Sequence, residues 1–83
     1  MNQKRTITKT PNLVILYDSD YPVCYKILKS GHGDSYSVIE EDPFEHELRL
    51  KSKAEVLALA RNFEPTFSES DLPIELGVIH EPL

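Results

Sequence analysis

Residues 23–40 open with Val23-Cys24-Tyr25-Lys26-Ile27-Leu28, pass through Ser30-Gly31-His32-Gly33-Asp34, and continue as Ser35-Tyr36-Ser37-Val38-Ile39-Glu40. The two flanks alternate, so Val23, Tyr25 and Ile27 share one face of a strand and Tyr36 and Val38 share one face of the next. Two glycines in so short a connection supply the positive φ angles of a tight reversal. The stretch therefore reads as a β-hairpin, and this sets the fold class.

Working back toward the start, Leu13-Val14-Ile15-Leu16-Tyr17 is a short apolar run closed by Asp18-Ser19-Asp20. It is too short for a helix and rich in branched residues, which predicts a buried strand at the centre of the sheet. Arg5-Thr6-Ile7-Thr8-Lys9 alternates polar and β-branched residues before Pro11-Asn12 interrupts it, the pattern of an exposed edge strand. Residues 1–4 are expected to be disordered.

Working forward, Glu40-Glu41-Asp42-Pro43 predicts a loop, because proline and three adjacent acids disfavour a ladder. Glu47-Leu48-Arg49-Leu50 predicts a short strand with Leu48 and Leu50 on one face. Ser52-Lys53-Ala54-Glu55 is a capping box: the serine hydroxyl can cap the first helical turn while Glu55 reaches back to the cap amide. Val56, Leu59, Ala60 and Phe63 then follow helical spacing, with Leu57 at the margin of the stripe, and Pro65 ends the helix. Glu64 to Leu83 holds no Lys or Arg and three of the six prolines, yet also Leu72, Ile74, Leu76, Val78 and Ile79. It reads as an extended acidic tail or a final strand over 74–80. The expected architecture is α+β: one domain over residues 1–83, with an antiparallel sheet of three to five strands and one helix, residues 52–63, packed on one face.

Charge is unevenly placed. The net charge is -5, but residues 1–39 sum to +2 and residues 40–83 to -7. The overall sign opposes general attraction to phosphate backbones or anionic lipid, so neither nucleic acid nor membrane is the expected partner. Cys24 is the only cysteine, which excludes an intrachain disulfide and points to a reducing, cytoplasmic setting. The longest apolar run is too short for a membrane span or for the core of a signal peptide.

Catalytic and metal patterns are weak. His32, His46, His80 and Cys24 show no close pair of the kind that marks zinc sites. Asp18-Ser19-Asp20 starts like a calcium loop but lacks its later ligands and glycine, so the aspartates read as turn-formers accepting backbone hydrogen bonds. Gly31-His32-Gly33 lacks the remainder of a phosphate loop. No histidine is placed beside a serine or Cys24 as a base, and so small a domain offers little room for a cleft that excludes water. No enzyme, cofactor or metal is expected.

The sharper candidate is the acidic stretch Glu40, Glu41, Asp42, Phe44, Glu45 and Glu47. Its carboxylates suit a basic protein surface, and Phe44 suits the apolar centre of an interface with a charged rim. Its plainer reading is a solvated loop. The function expected is a small non-enzymatic interaction module, such as a regulator or inhibitor of bacterial, phage or plasmid origin. Homodimerisation through a sheet edge or the C-terminal tail is a further expectation. The competing reading is a nucleic-acid-binding module using a local basic sheet face of Lys26, Lys29, Arg49 and Lys51. A small sheet and helix over residues 22–63 resembles, in topology only, some integrase arm-binding domains, and the acid excess departs from that family. A small enzyme or metal protein is the third alternative.

Overall fold

A computed structural model describes residues 5–20, 23–30 and 35–75. Among the described residues, five strands run in sequence order as an antiparallel meander: β1 (Arg5–Thr10), β2 (Leu13–Asp18), β3 (Val23–Lys29), β4 (Tyr36–Glu41) and β5 (His46–Lys51). One helix, α1 (Lys53–Arg61), follows, and then a single 3-10 turn at Glu69–Asp71. The predicted α+β class is thus present, with the sheet at the upper end of the expected size.

Each reversal is fixed by short-range polar contacts. Thr10 donates its hydroxyl to the Leu13 carbonyl at 2.9 Å across Pro11-Asn12. The Asp18 carboxylate accepts the Asp20 amide at 2.9 Å, the turn-forming role expected of it. The β3–β4 hairpin is closed by the Ser30 amide on the Ser35 carbonyl at 3.1 Å. Its glycine-rich tip, including His32, lies outside the described residues. The middle strand is β3, whereas the sequence pointed to Leu13–Tyr17, now β2, which has one strand between it and solvent. The apolar run does not mark burial on both faces here: Val14 and Leu16 are buried under α1, whereas Leu13 and Ile15 are only partly buried and Tyr17 is exposed on the other face, as suits a strand one place from the edge.

Register divides the sheet into two faces. Val14 opposes Ile27, Ile27 opposes Val38, and Val38 opposes Arg49. That row lies on the face under α1, together with Leu16, Tyr25 and Tyr36. The other face carries Ile15, Lys26, Ile39 and Leu48 in one row. Leu48 and Leu50 do share a face, as predicted, and both are exposed on it.

The capping box forms as read. Ser52 Oγ accepts the Glu55 amide at 3.3 Å, and Glu55 Oε1 accepts the Ser52 amide at 3.1 Å. The helix ends at Arg61 with Asn62 as its C-cap, so Ser52, Asn62 and Phe63 of the expected span 52–63 fall outside it. Val56 and Ala60 are fully buried; Leu57 is buried as well, while Leu59 and Phe63 are only partly so. Leu57 therefore belongs to the core and not to its margin. The cause is the chain after the helix, which returns Phe67 and Leu72 to the same cluster and widens the apolar arc the helix must serve.

Residues 64–75 are consequently not a solvated tail. Phe67, Leu72 and Pro73 are buried, and the Arg61 guanidinium holds the Phe67 carbonyl at 3.0 Å. Lys9 of β1 reaches Glu64 at 3.2 Å and Asp71 at 3.4 Å, and lies 5.9 Å from the centre of the Phe67 ring. Arg5 bonds Asp18 at 3.0 Å and the Asn62 carbonyl at 2.8 Å while stacking over Phe63. Two basic residues of an edge strand thereby clasp the segment that closes the core. The amides of Ile74 and Glu75 both approach the Pro11 carbonyl at 2.9 Å. The rest of the predicted final strand lies outside the described residues. No helix among the described residues is long and apolar enough to cross a membrane.

Candidate functional site

The acidic stretch singled out by sequence is not one loop. Strand β4 continues through Glu41, so only Asp42–Glu45 connect it to β5. Glu40 and Glu41 stay in the ladder because β3 supplies partners: Tyr25 opposes Glu40 and Cys24 opposes Glu41. Lys26 adds an ion pair to Glu41 at 3.1 Å. The run of acids breaks the ladder only where Pro43 removes a donor.

Alternation then sends the carboxylates apart. Glu40 and Glu47 are cross-strand partners on the face under α1, and Glu41 opposes His46 on the other face, with 3.7 Å between His46 Nδ1 and the carboxylate. Glu47 is bonded by Arg49 at 2.8 Å. Asp42 is consumed by the turn itself, its Oδ1 accepting the amides of Phe44 at 2.7 Å and Glu45 at 2.6 Å. The turn is further closed by the Asp42 amide on the Glu45 carbonyl at 2.9 Å. What this frame presents is Phe44, which is 92% exposed, with Glu45 beside it, also exposed. Among the described residues Phe44 is the most exposed large hydrophobic side chain, although burying such a ring is worth roughly 1.5–3 kcal/mol.

A second feature is a cleft of about 400 Å³ between α1 and the β4–β5 end of the sheet, floored by Tyr25 and Val38 and walled by Leu59, Glu47, Arg49, Lys51 and Glu55. It exists because the core pulls α1 over the middle of the sheet, leaving the inner face of β5 bare. Four of its five charged side chains form pairs, Arg49 with Glu47 and Lys51 with Glu55 at 3.8 Å, and Glu40 lines it as a third carboxylate. Glu47 holds the Arg49 pKa above its ordinary value, and partial burial raises that of Tyr25. No set of these groups converges on one point as a catalytic constellation would.

The four residues of the basic-face reading are split by register. Lys29, Arg49 and Lys51 belong to the face under α1, and Lys26 to the opposite face beside Ile39. Lys29 lies over the Tyr36 ring at 5.5 Å. Cys24 is half-buried on the face away from α1, and its thiol pKa is raised chiefly by burial, so it is a poor nucleophile at neutral pH.

Comparison of the chain with protein-family models, with curated proteins and with solved structures returned no match, so the site has to be read from its own geometry.

Proposed function

We propose that this chain is a non-enzymatic protein-interaction module that meets its partner with the β4–β5 end of the sheet. Phe44 is the anchor, entering an apolar pocket, while Glu45 and the neighbouring carboxylates face basic residues around that pocket. The observation that carries this reading is the 92% exposure of Phe44 on a turn already ordered by Asp42. An aromatic side chain presented on a rigid frame loses little conformational freedom on binding and is a frequent hot spot. The role that suits such a module is a small regulator or inhibitor in a reducing cytoplasm, where a lone thiol such as Cys24 stays reduced.

A photo-crosslinking aromatic residue placed at position 44 tests this in host extract. The expected result is one dominant basic protein joined through position 44. Affinity capture of that protein by the chain without the crosslinker should fail with Phe44→Ser and weaken when Glu40, Glu41, Glu45 and Glu47 are neutralised. An unchanged set of captured proteins with both variants would defeat the proposal. Fluorescence anisotropy with duplex and single-stranded DNA is expected to show no salt-sensitive binding; a clear salt slope would favour the nucleic-acid reading instead.

A further inference from the structure

Strand β5 ends the sheet, and no described strand pairs with its outer side. All of His46–Leu50 is exposed. An unpaired edge is a template for another strand, and proteins blunt it with proline, a bulge, a covering segment or charged side chains. His46–Lys51 holds no proline and pairs with β4 in unbroken register, and its charged residues Glu47, Arg49 and Lys51 are of both signs, so they oppose a second strand only in registers that set like charge against like. The opposite edge, β1, is different: Lys9 and Arg5 tie it to the chain after the helix.

We propose that β5 pairs antiparallel with β5 of a second copy, about a two-fold axis through Leu48. One continuous ten-stranded sheet results, with both helices on the same side. The register follows from charge. Centring on Leu48 sets Glu47 of each copy opposite Arg49 of the other, and brings Glu45, at the end of the turn before β5, toward Lys51. Two opposite-sign pairs then line the helix side, at the separation where cross-strand pairs interact directly. On the other side Leu48 meets Leu48 and Leu50 meets His46, covering two leucines that are 45% and 58% exposed in the single chain. A shift of two residues either way brings Arg49 against Arg49 or Glu47 against Glu47. A shift of one residue turns the faces over. Arg49 keeps enough donors to hold both its own Glu47 and that of the second copy. The edge β1 has no such symmetry, since pairing it with itself about Ile7 sets Arg5 against Lys9. This dimer shares Glu45 and Glu47 with the partner reading above but is tested apart from it, because it forms from the purified chain alone and leaves the two Phe44 turns at opposite ends of the joined edge, so Phe44→Ser should leave it intact.

Sedimentation equilibrium of the purified full chain, from low micromolar to near-millimolar concentration, is expected to show a monomer–dimer equilibrium. Two edge variants then test the register. Glu45→Lys with Glu47→Lys makes the edge wholly positive on the helix side, and Arg49→Glu with Lys51→Glu makes it wholly negative. Each alone should lose dimerisation at least tenfold in dissociation constant while keeping the parent circular dichroism, and an equimolar mixture should regain a 1:1 dimer. A strictly monomeric parent chain, growth beyond dimer, or single-sign variants that self-associate like the parent would overturn the proposal. If a variant fails to fold, oxidation of Leu48→Cys in a Cys24→Ser background decides. Directly opposed strand residues sit about 4.5–5.5 Å apart at Cα, within disulfide reach. Leu48→Cys should therefore crosslink readily and Leu50→Cys slowly. Equal or absent crosslinking at the two positions refutes the two-fold at Leu48.

Discussion

Two phenylalanines of this chain occupy opposite environments, and truncating each to alanine isolates what the segment after the helix contributes. Phe67 is 1% exposed and Phe44 is 92% exposed. Removing a buried phenyl ring costs about 3–5 kcal/mol from lost transfer energy and the cavity left behind. Phe67 sits among Val14, Leu16, Val56 and Leu57 in one cluster, and its ring also loses Lys9 at 5.9 Å. At roughly 0.05–0.15 kcal/mol per residue a chain of this length has about 4–12 kcal/mol in total. Phe67→Ala therefore removes about a quarter or more of the stability. In a domain of this size each kcal/mol moves Tm by roughly 4–8 °C, so the midpoint should fall by at least about 12 °C. Phe44→Ala, a surface change, should stay within about 0.5 kcal/mol of the parent. Differential scanning calorimetry on the three proteins reads both effects. A Phe67→Ala midpoint as close to the parent as that of Phe44→Ala would mean that residues 64–75 do not belong to the core.

Three further outcomes are expected. Ser52→Ala removes the N-cap and should cost about 0.5–2 kcal/mol by urea denaturation; an unchanged midpoint would show that the capping box contributes nothing. The Ser52 amide and hydroxyl hold the Glu55 carboxyl below its ordinary pKa, and the Ser68 amide, with help from Lys9, does the same for Asp71. Because the folded-state values are depressed, that stability is full above the ordinary carboxylate range and is lost as pH falls through the lowered values. Urea midpoints followed from neutral pH into acid should thus decline less steeply for Glu55→Gln with Asp71→Asn than for the parent, and equal slopes would contradict the assignment. Cys24 should react with maleimide more slowly than a free thiol at neutral pH and speed up only in alkali; rates equal to those of a model thiol would rule out its shielding.

Local chemistry is legible in the sequence. The hairpin over residues 23–40, the Ser52–Glu55 box and the Asp18 turn all form, because each depends on residues a few positions apart. What sequence reading missed depended on distant partners. Leu57 looked marginal on a helical wheel because nothing local announces that Phe67 and Leu72 will return to its side. Glu40 and Glu41 looked like loop because their neighbours are acids, yet pairing with Tyr25 and Cys24 keeps them in β4. The division of Lys26 from Lys29 was available from parity alone, since residues an odd number apart in a strand face opposite ways. The exposure of Phe44 could be anticipated from Pro43 beside it only once the turn was known to be four residues long.

The clasp made by Arg5 and Lys9 bears on the order in which the chain acquires its structure. In a meander each strand pairs with its neighbour in sequence, so the sheet can assemble through a succession of small loop closures. The Arg5 contact with Asn62 joins residues 57 positions apart, and an event that closes so large a loop is entropically dear and comes late. Interactions absent from the folding transition state act on the unfolding rate. Arg5→Ala should therefore leave the refolding arm of a chevron plot nearly in place and raise the unfolding arm; a slowed refolding arm would put the clasp in the nucleus. In kinetic terms, two basic residues on an edge strand serve as the latch that sets how long the native state lasts.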